Sequence, residues 1–210
     1  KMKKIVFMMM GLALFSASGQ AAKVEKANVA KGSKFVVHMD FDAFLTSKLG
    51  SAVIKQARQE EGEERIKALT DVIGFDPFTS LNSATMFGNG EEENGAILLK
   101  HKSETKRVIS FIKLEEDYLP TEYKDHTIHS VGKVGERGYI SFVNKTTAVI
   151  APSRELARGG IDLVRGKGAA KKLPSQIDEI SKKVKAPFLV DYADVDGLEE
   201  VIEDPNVNDM

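Results

Sequence analysis

The chain has 210 residues, of which 42% are hydrophobic and 29% are charged, and its formal net charge is −1. This composition is ordinary for a globular protein and excludes global disorder and a protein with many membrane spans. The absence of cysteine excludes disulfides, a thiol nucleophile and cysteine-based metal or lipid attachment.

The first 21 residues have the pattern of a secretory signal peptide, with Lys3 and Lys4 before an apolar run over 5–15 and a cleavage site after Ala21. The run is much shorter than the roughly 20 residues of a membrane-spanning helix. We therefore expect a secreted or periplasmic protein with no membrane span after cleavage. Cleavage would change the formal charge to −4, and this mild acidity argues against a nucleic-acid partner.

The mature chain is predicted to begin with a flexible lead-in over 22–32, followed by an α+β domain over 33–186. Its first strand alternates between two faces. The apolar side chains are predicted to form the core face, namely Phe35, Val37, Met39 and Phe41. The other face is predicted to be open, with Val36, His38, Asp40 and Asp42. Asp42 is expected to cap a helix that starts near Ala43.

The helical pattern continues to about Ile73, where Gly74 is a stop signal, and Gly62 is a point at which the helix could kink or divide. Two strands then flank an acidic turn, and Ser103 is a plausible cap for a short helix. Three further strands form a meander, and Ser153 is expected to cap a helix through Val164. The predicted strands lie at 81–88, 96–101, 127–131, 139–143 and 147–151.

This order of elements lacks strict alternation of strands and helices, because most neighbouring strands are joined by tight turns. The sequence therefore predicts an α+β fold with an antiparallel sheet and helices packed on one face.

The segment from Phe188 to Leu198 has a pattern similar to that of the first strand and helix. Residues 187–210 are therefore either the start of a second, truncated repeat or a final strand that completes the first sheet. With the first interpretation the chain is a fragment of a longer duplicated protein.

Three segments carry a resemblance to known proteins: FVVHMDFDAF, IGFDPFTSLNSATMFG and GYISFVNKTTAVIAPSRELARGGIDLVRGK. Through them, most of residues 33–190 resemble uncharacterised secreted α+β proteins of planctomycete and verrucomicrobial bacteria. The resemblance implies the same fold class and, because such proteins often have two similar halves, an architecture roughly twice this length. It has no catalytic signature, so it implies no active-site residues.

The sharpest candidate for a divalent-metal site is a set of one imidazole and two carboxylates at alternate positions of the first strand. Its members are His38, Asp40 and Asp42. A solvated sheet edge on which Asp42 caps a helix explains the same pattern without a metal. In a second cluster, His126 and His129 are three residues apart on a predicted strand, so they should face opposite sides and not converge on one ion.

The sequence lacks the motifs of other reaction classes. It has no nucleophile elbow, and the glycines at 160–168 do not have the spacing of a phosphate loop. The sequence therefore predicts a non-catalytic role in binding or in the cell envelope, without a cofactor and with an envelope or extracellular protein as partner. The alternative is a metal-assisted hydrolase that uses the face of His38, Asp40 and Asp42.

Overall fold

The computed structural model describes residues 24–194, apart from 77, 92–93, 134–135, 176, 178 and 180–188, and describes the backbone alone at 60, 61 and 69. The predicted signal peptide over 1–21 lies outside the described residues. Most of the predicted second copy, over 187–210, also lies outside the described residues.

Helices and strands alternate irregularly after a short helical turn at Lys26–Asn28. The helices are α1 (Phe41–Thr46), α2 (Lys48–Glu61), α3 (Glu63–Ile73), α4 (Thr105–Ile112) and α5 (Arg154–Val164). The strands are β1 (Phe35–Asp40), β2 (Leu81–Gly88), β3 (Gly95–His101), β4 (Thr121–Tyr123), β5 (His126–Val131), β6 (Gly138–Asn144), β7 (Thr147–Ala151) and β8 (Leu189–Ala193). None of the helices in the described ranges combines the length and apolar character needed to span a bilayer.

All eight strands form one sheet in the order β4-β5-β6-β7-β3-β2-β1-β8. Every neighbouring pair is antiparallel. This confirms the α+β fold with an antiparallel sheet. Strand β8 pairs with β1 at the edge of this sheet.

The first helix begins two residues earlier than the sequence predicts. Asp40, and not Asp42, is its cap, because the Asp40 carboxylate accepts a hydrogen bond of 2.8 Å from the backbone N–H of Ala43. Both aspartates could cap a helix. The choice follows from Phe41, which is buried as the first helical residue.

Two glycines divide and end the following helices as expected. Gly62 (φ 78°) separates α2 from α3, and Gly74 ends α3 in the left-handed conformation (φ 68°), which glycine adopts without a steric penalty. Ser47 separates α1 from α2 and caps α2, because its hydroxyl oxygen accepts a hydrogen bond from the backbone N–H of Gly50. The expected cap by Ser103 is wrong, since α4 starts after Glu104 and has no side-chain cap.

The two faces of β1 are the reverse of the prediction, although Phe41, the first residue of α1, is buried as predicted. Val36 is 0% and His38 is 4% exposed, whereas Phe35, Val37 and Met39 are half-buried. Val36 belongs to the main core. His38 can be buried there because its Nδ1 lies 2.8 Å from the Thr85 hydroxyl on β2, which removes the cost of an unpaired polar atom.

The strand pairing extends this buried face across the sheet. We call it the sealed row, and in the order of the strands from β8 to β6 it comprises Val190, His38, Thr85, Leu98, Val149 and Ser141, all buried. Helix α5 packs on β7, β6 and β3 and belongs to the same core through Ala157 and Ile161. The predicted flexible lead-in also belongs to it, because Val24 and Val29 are buried in this core.

Close packing of α5 on the sheet gives a first prediction. A Cβ at Gly160 would lie 2.4 Å from Cγ1 of the buried Val149, whereas a Cβ at Gly159 would meet nothing within 4 Å. Both glycine-to-alanine changes gain helix propensity, about 1 kcal/mol, but Gly160→Ala also overpacks the core at a cost of about 1–3 kcal/mol. Urea denaturation should therefore show Gly159→Ala more stable than Gly160→Ala. Equal stabilisation by both changes would contradict this packing.

Candidate functional site

The three residues predicted as metal ligands have separate structural roles. His38 lies in the sealed row, and burial there lowers its pKa. Asp40 caps α1. Asp42 is exposed and pairs with Lys102, whose Nζ lies 2.6 Å from its carboxylate. Among the described residues, no group of three or more His, Cys, Asp or Glu side chains could hold a metal ion.

The second histidine cluster is also split between environments, as the spacing on a strand predicts. His129 is buried on β5 and its Nδ1 lies 2.8 Å from the hydroxyl of Tyr118. His126 lies at the other end of β5, where its Nε2 is 3.2 Å from the Arg165 guanidinium. Burial lowers the pKa of His129.

His101, at the end of β3, is a third buried histidine. Its ring meets the Phe142 ring edge to face, with centroids 5.9 Å apart, and its Nδ1 lies 3.3 Å from the Ser103 hydroxyl. Its Nε2 has no hydrogen-bond partner within the described structure. Burial lowers the pKa of His101. Among the described residues, no carboxylate hydrogen-bonds the His101 ring to orient it as a base, so the contact with Ser103 lacks the third group of a catalytic triad.

The second face of the sheet carries a continuous row of apolar side chains. We call it the apolar row, and across β1, β2, β3, β7 and β6 it comprises Val37, Met86, Ile97, Ile150 and Ile140 in direct register. All five are half-buried, unlike the sealed row one residue away on each strand. The two sides of one sheet therefore differ in coverage, and the less covered side is the more apolar.

A second row on the same face has Leu189, Met39, Ala84, Leu99, Ala148 and Phe142 in register from β8 to β6. Ala148 is fully buried, and the other five are half-buried. At the β5 end, Ile140 pairs with His129, which stacks on Tyr118. The segment that ends at Tyr118 includes Leu114, which is 81% exposed. Contiguous apolar residues that stay partly exposed on one face are a feature of interaction sites.

The apolar row lies outside the two hollows found in the described part of the chain. Two hollows in the described part of the chain have volumes of about 170 and 240 Å³, and neither is lined by a member of the apolar row. Sites for small molecules usually enclose roughly 300–1,000 Å³. The geometry therefore suits a broad partner surface better than a small ligand.

No protein-family model matches the chain, and no curated protein sequence matches it. Solved structures do match. Crystal forms III and IV of TP0453, a Treponema protein, each have 10% sequence identity and a TM-score of 0.52. The matches cover 88% and 87% of this chain and 69% and 68% of TP0453. The chain shares a fold with TP0453. At this identity the likeness to TP0453 concerns the fold alone.

Sequence reasoning missed the apolar row as a site because it treated apolar side chains as core. The available signal was that both faces of β3 are apolar, with Ile97 and Leu99 on one and Ala96 and Leu98 on the other. Such a strand is expected to be covered on both sides. In this structure Ile97 and Leu99 stay partly exposed, whereas Ala96 and Leu98 are buried.

Proposed function

We propose that this protein is a non-catalytic binding module of the cell envelope, which holds an apolar surface of an envelope or extracellular protein on its apolar row. The contiguous, partly exposed apolar row carries this proposal. The N-terminal pattern of a signal peptide supports export to the periplasm or beyond.

A protein partner fits the surface better than a small molecule for two reasons. The row crosses five strands, about 20 Å at the usual strand spacing, and it lines neither of the two hollows. Its five members contribute no charged group, so a partner would gain affinity mainly from apolar burial at the centre of the contact. Polar groups would remain at the rim, where Asp191 of β8 lies opposite Val37.

The accessibility of the row can be tested with an apolar fluorescent dye, anilinonaphthalene sulfonate. We expect the native protein to bind the dye and Ile97→Glu to lose most of the fluorescence, because a negative charge at the centre of the row disfavours apolar contact and repels the anionic dye. Val72→Glu is the matched control, since Val72 is 64% exposed on α3 and lies off the sheet. Circular dichroism would check that both variants are folded. Equal loss in both variants, or no binding by the native protein, would contradict the proposal.

The partner can be tested with a photocrosslinking amino acid placed at position 97 or, as a control, at position 72. We expect an envelope protein to be linked from position 97 alone. The same link should disappear when Ile150→Lys is added on the neighbouring strand. Links that are identical from both positions, or that survive Ile150→Lys, would show that the row is not the contact surface.

A further inference from the structure

The sequence contains the dipeptide Asn-Gly twice, and both copies lie in the hairpin that joins β2 to β3. Asn89-Gly90 follows β2 directly, and Asn94-Gly95 leads into β3. An asparagine before glycine can lose its side-chain amide to attack by the next backbone nitrogen, because glycine has no side chain to hinder the approach and leaves the backbone free to rotate. The two copies share this chemistry but lie in different surroundings.

The side-chain carbonyl of Asn89 is held in a way that favours attack at Cγ. The backbone N–H of Glu91 donates a hydrogen bond of 3.1 Å to Oδ1 of Asn89. A donor at this oxygen stabilises the negative charge that forms there during attack, as an oxyanion hole does. Gly90 is exposed and lies outside both strands. A Cβ built on Gly90 would come no closer than 3.9 Å to its nearest neighbour, the side chain of Lys34, so packing does not oppose rotation of this backbone.

Asn94 has the opposite arrangement. Its Nδ2 donates a hydrogen bond of 2.9 Å to the carboxylate of Glu91, which leaves more electron density on the nitrogen that would have to depart. Gly95 pairs with Gly88 as the first residue of β3. A Cβ built on Gly95 would lie 3.0 Å from the carbonyl oxygen of Phe87, so this backbone is closely packed. Rotation of the Gly95 nitrogen towards Cγ of Asn94 would therefore break the strand pairing.

We propose that Asn89 is a site of covalent modification, at which the chain itself converts asparagine to aspartate and isoaspartate. The backbone nitrogen of Gly90 attacks Cγ of Asn89, the bond from Cγ to Nδ2 breaks, and Nδ2 leaves as ammonia with the proton that the Gly90 nitrogen gives up. Water then opens the cyclic imide. Cleavage at Cγ gives aspartate, and cleavage at the backbone carbonyl carbon gives isoaspartate. This modification needs neither the apolar row nor a partner.

The two products differ in how they fit the hairpin. The backbone N–H of Asn89 donates a hydrogen bond of 3.3 Å to the carbonyl oxygen of Asn94, which closes the turn. Aspartate keeps the main chain and an acceptor for the N–H of Glu91. Isoaspartate lengthens the main chain by one carbon between two paired strands, so the turn no longer closes at the same register. The isoaspartate form is therefore expected to have the lower Tm of the two.

Peptide mapping by mass spectrometry, after incubation of the folded chain at mildly alkaline pH, measures both sites in the same molecules. We expect Asn89 to convert about tenfold faster than Asn94, a ratio that one stabilising hydrogen bond in the transition state can give. Both aspartate and isoaspartate should appear at position 89. In urea, where neither hydrogen bond persists, the two rates should become similar.

Asn89→Gln should abolish the conversion at position 89, because a glutamine side chain would have to close a larger ring. Asn94→Gln is the matched control and should leave the conversion of Asn89 unchanged. Equal rates at the two sites in the folded protein, or no conversion of Asn89, would overturn the proposal. So would a preference of the same size in urea, since the local sequence and not the fold would then select the site. Aspartate without isoaspartate would indicate direct hydrolysis by water and would contradict attack by Gly90.

Discussion

Leu98→Ala is expected to destabilise the protein by about 3 kcal/mol, and Ile97→Ala, one residue earlier on the same strand, by about 1 kcal/mol. Leu98 is 2% exposed in the sealed row, between Thr85 and Val149. Its truncation would leave a cavity beneath α5 that the packed core cannot fill. Ile97 is half-buried in the apolar row, so its truncation loses part of its transfer free energy and leaves no closed cavity.

Ile97 and Leu98 are matched controls for each other because they are neighbours on β3. Both residues are aliphatic, both lie between β2 and β7, and neither change removes a backbone hydrogen bond. The free energy of unfolding from urea denaturation measures both costs. If Ile97→Ala cost as much as Leu98→Ala, the apolar row would be covered as tightly as the sealed row, and the proposed binding surface would not exist.

Local signals in the sequence predicted most element boundaries. Gly62 and Gly74 adopt positive φ where the helices divide and end, and Ser153 caps α5 through the N–H of Leu156. These devices act within four residues along the chain, which is why sequence alone reveals them. The short strand β4 was missed because its three residues, Thr121–Tyr123, carry little pattern.

The buried side of β1 could not be predicted from hydropathy. Strand alternation places Phe35 and Val37 on one face of β1 and Val36 and His38 on the other. Hydropathy favours the more apolar of these faces as the core face. A buried histidine is stable only with a partner, and Thr85 lies 47 residues away in sequence. The sheet pairing that joins the two residues is a nonlocal property of the fold.

The candidate surface has a nonlocal origin. The apolar row combines residues from five strands that the sheet pairing brings side by side, so it forms no motif in the sequence. Each strand alone shows only apolar residues at alternate positions, a pattern that is equally typical of a core face.

Stability is expected to fall as the pH is lowered from 7.5 to 5.5, because burial lowers the pKa values of His38, His101 and His129 in the folded chain. In the unfolded chain these histidines titrate near the ordinary value of about 6.5. Below that pH the unfolded state binds more protons than the folded state, so the free energy of unfolding decreases until the pH reaches the folded pKa values. Each histidine can contribute a slope of at most about 1.4 kcal/mol per pH unit, and the three together about 4.

Urea denaturation at several pH values measures this slope, and the chosen window lies above the ordinary titration range of carboxylates. His38→Asn should reduce the slope, since an asparagine amide can replace the imidazole Nδ1 near Thr85 and does not titrate. Val72→Asn, at an exposed position on α3, should leave the slope unchanged. A free energy of unfolding that stayed constant or rose toward pH 5.5 would mean that these histidines are charged in the folded protein, and their place inside the sheet would then be wrong.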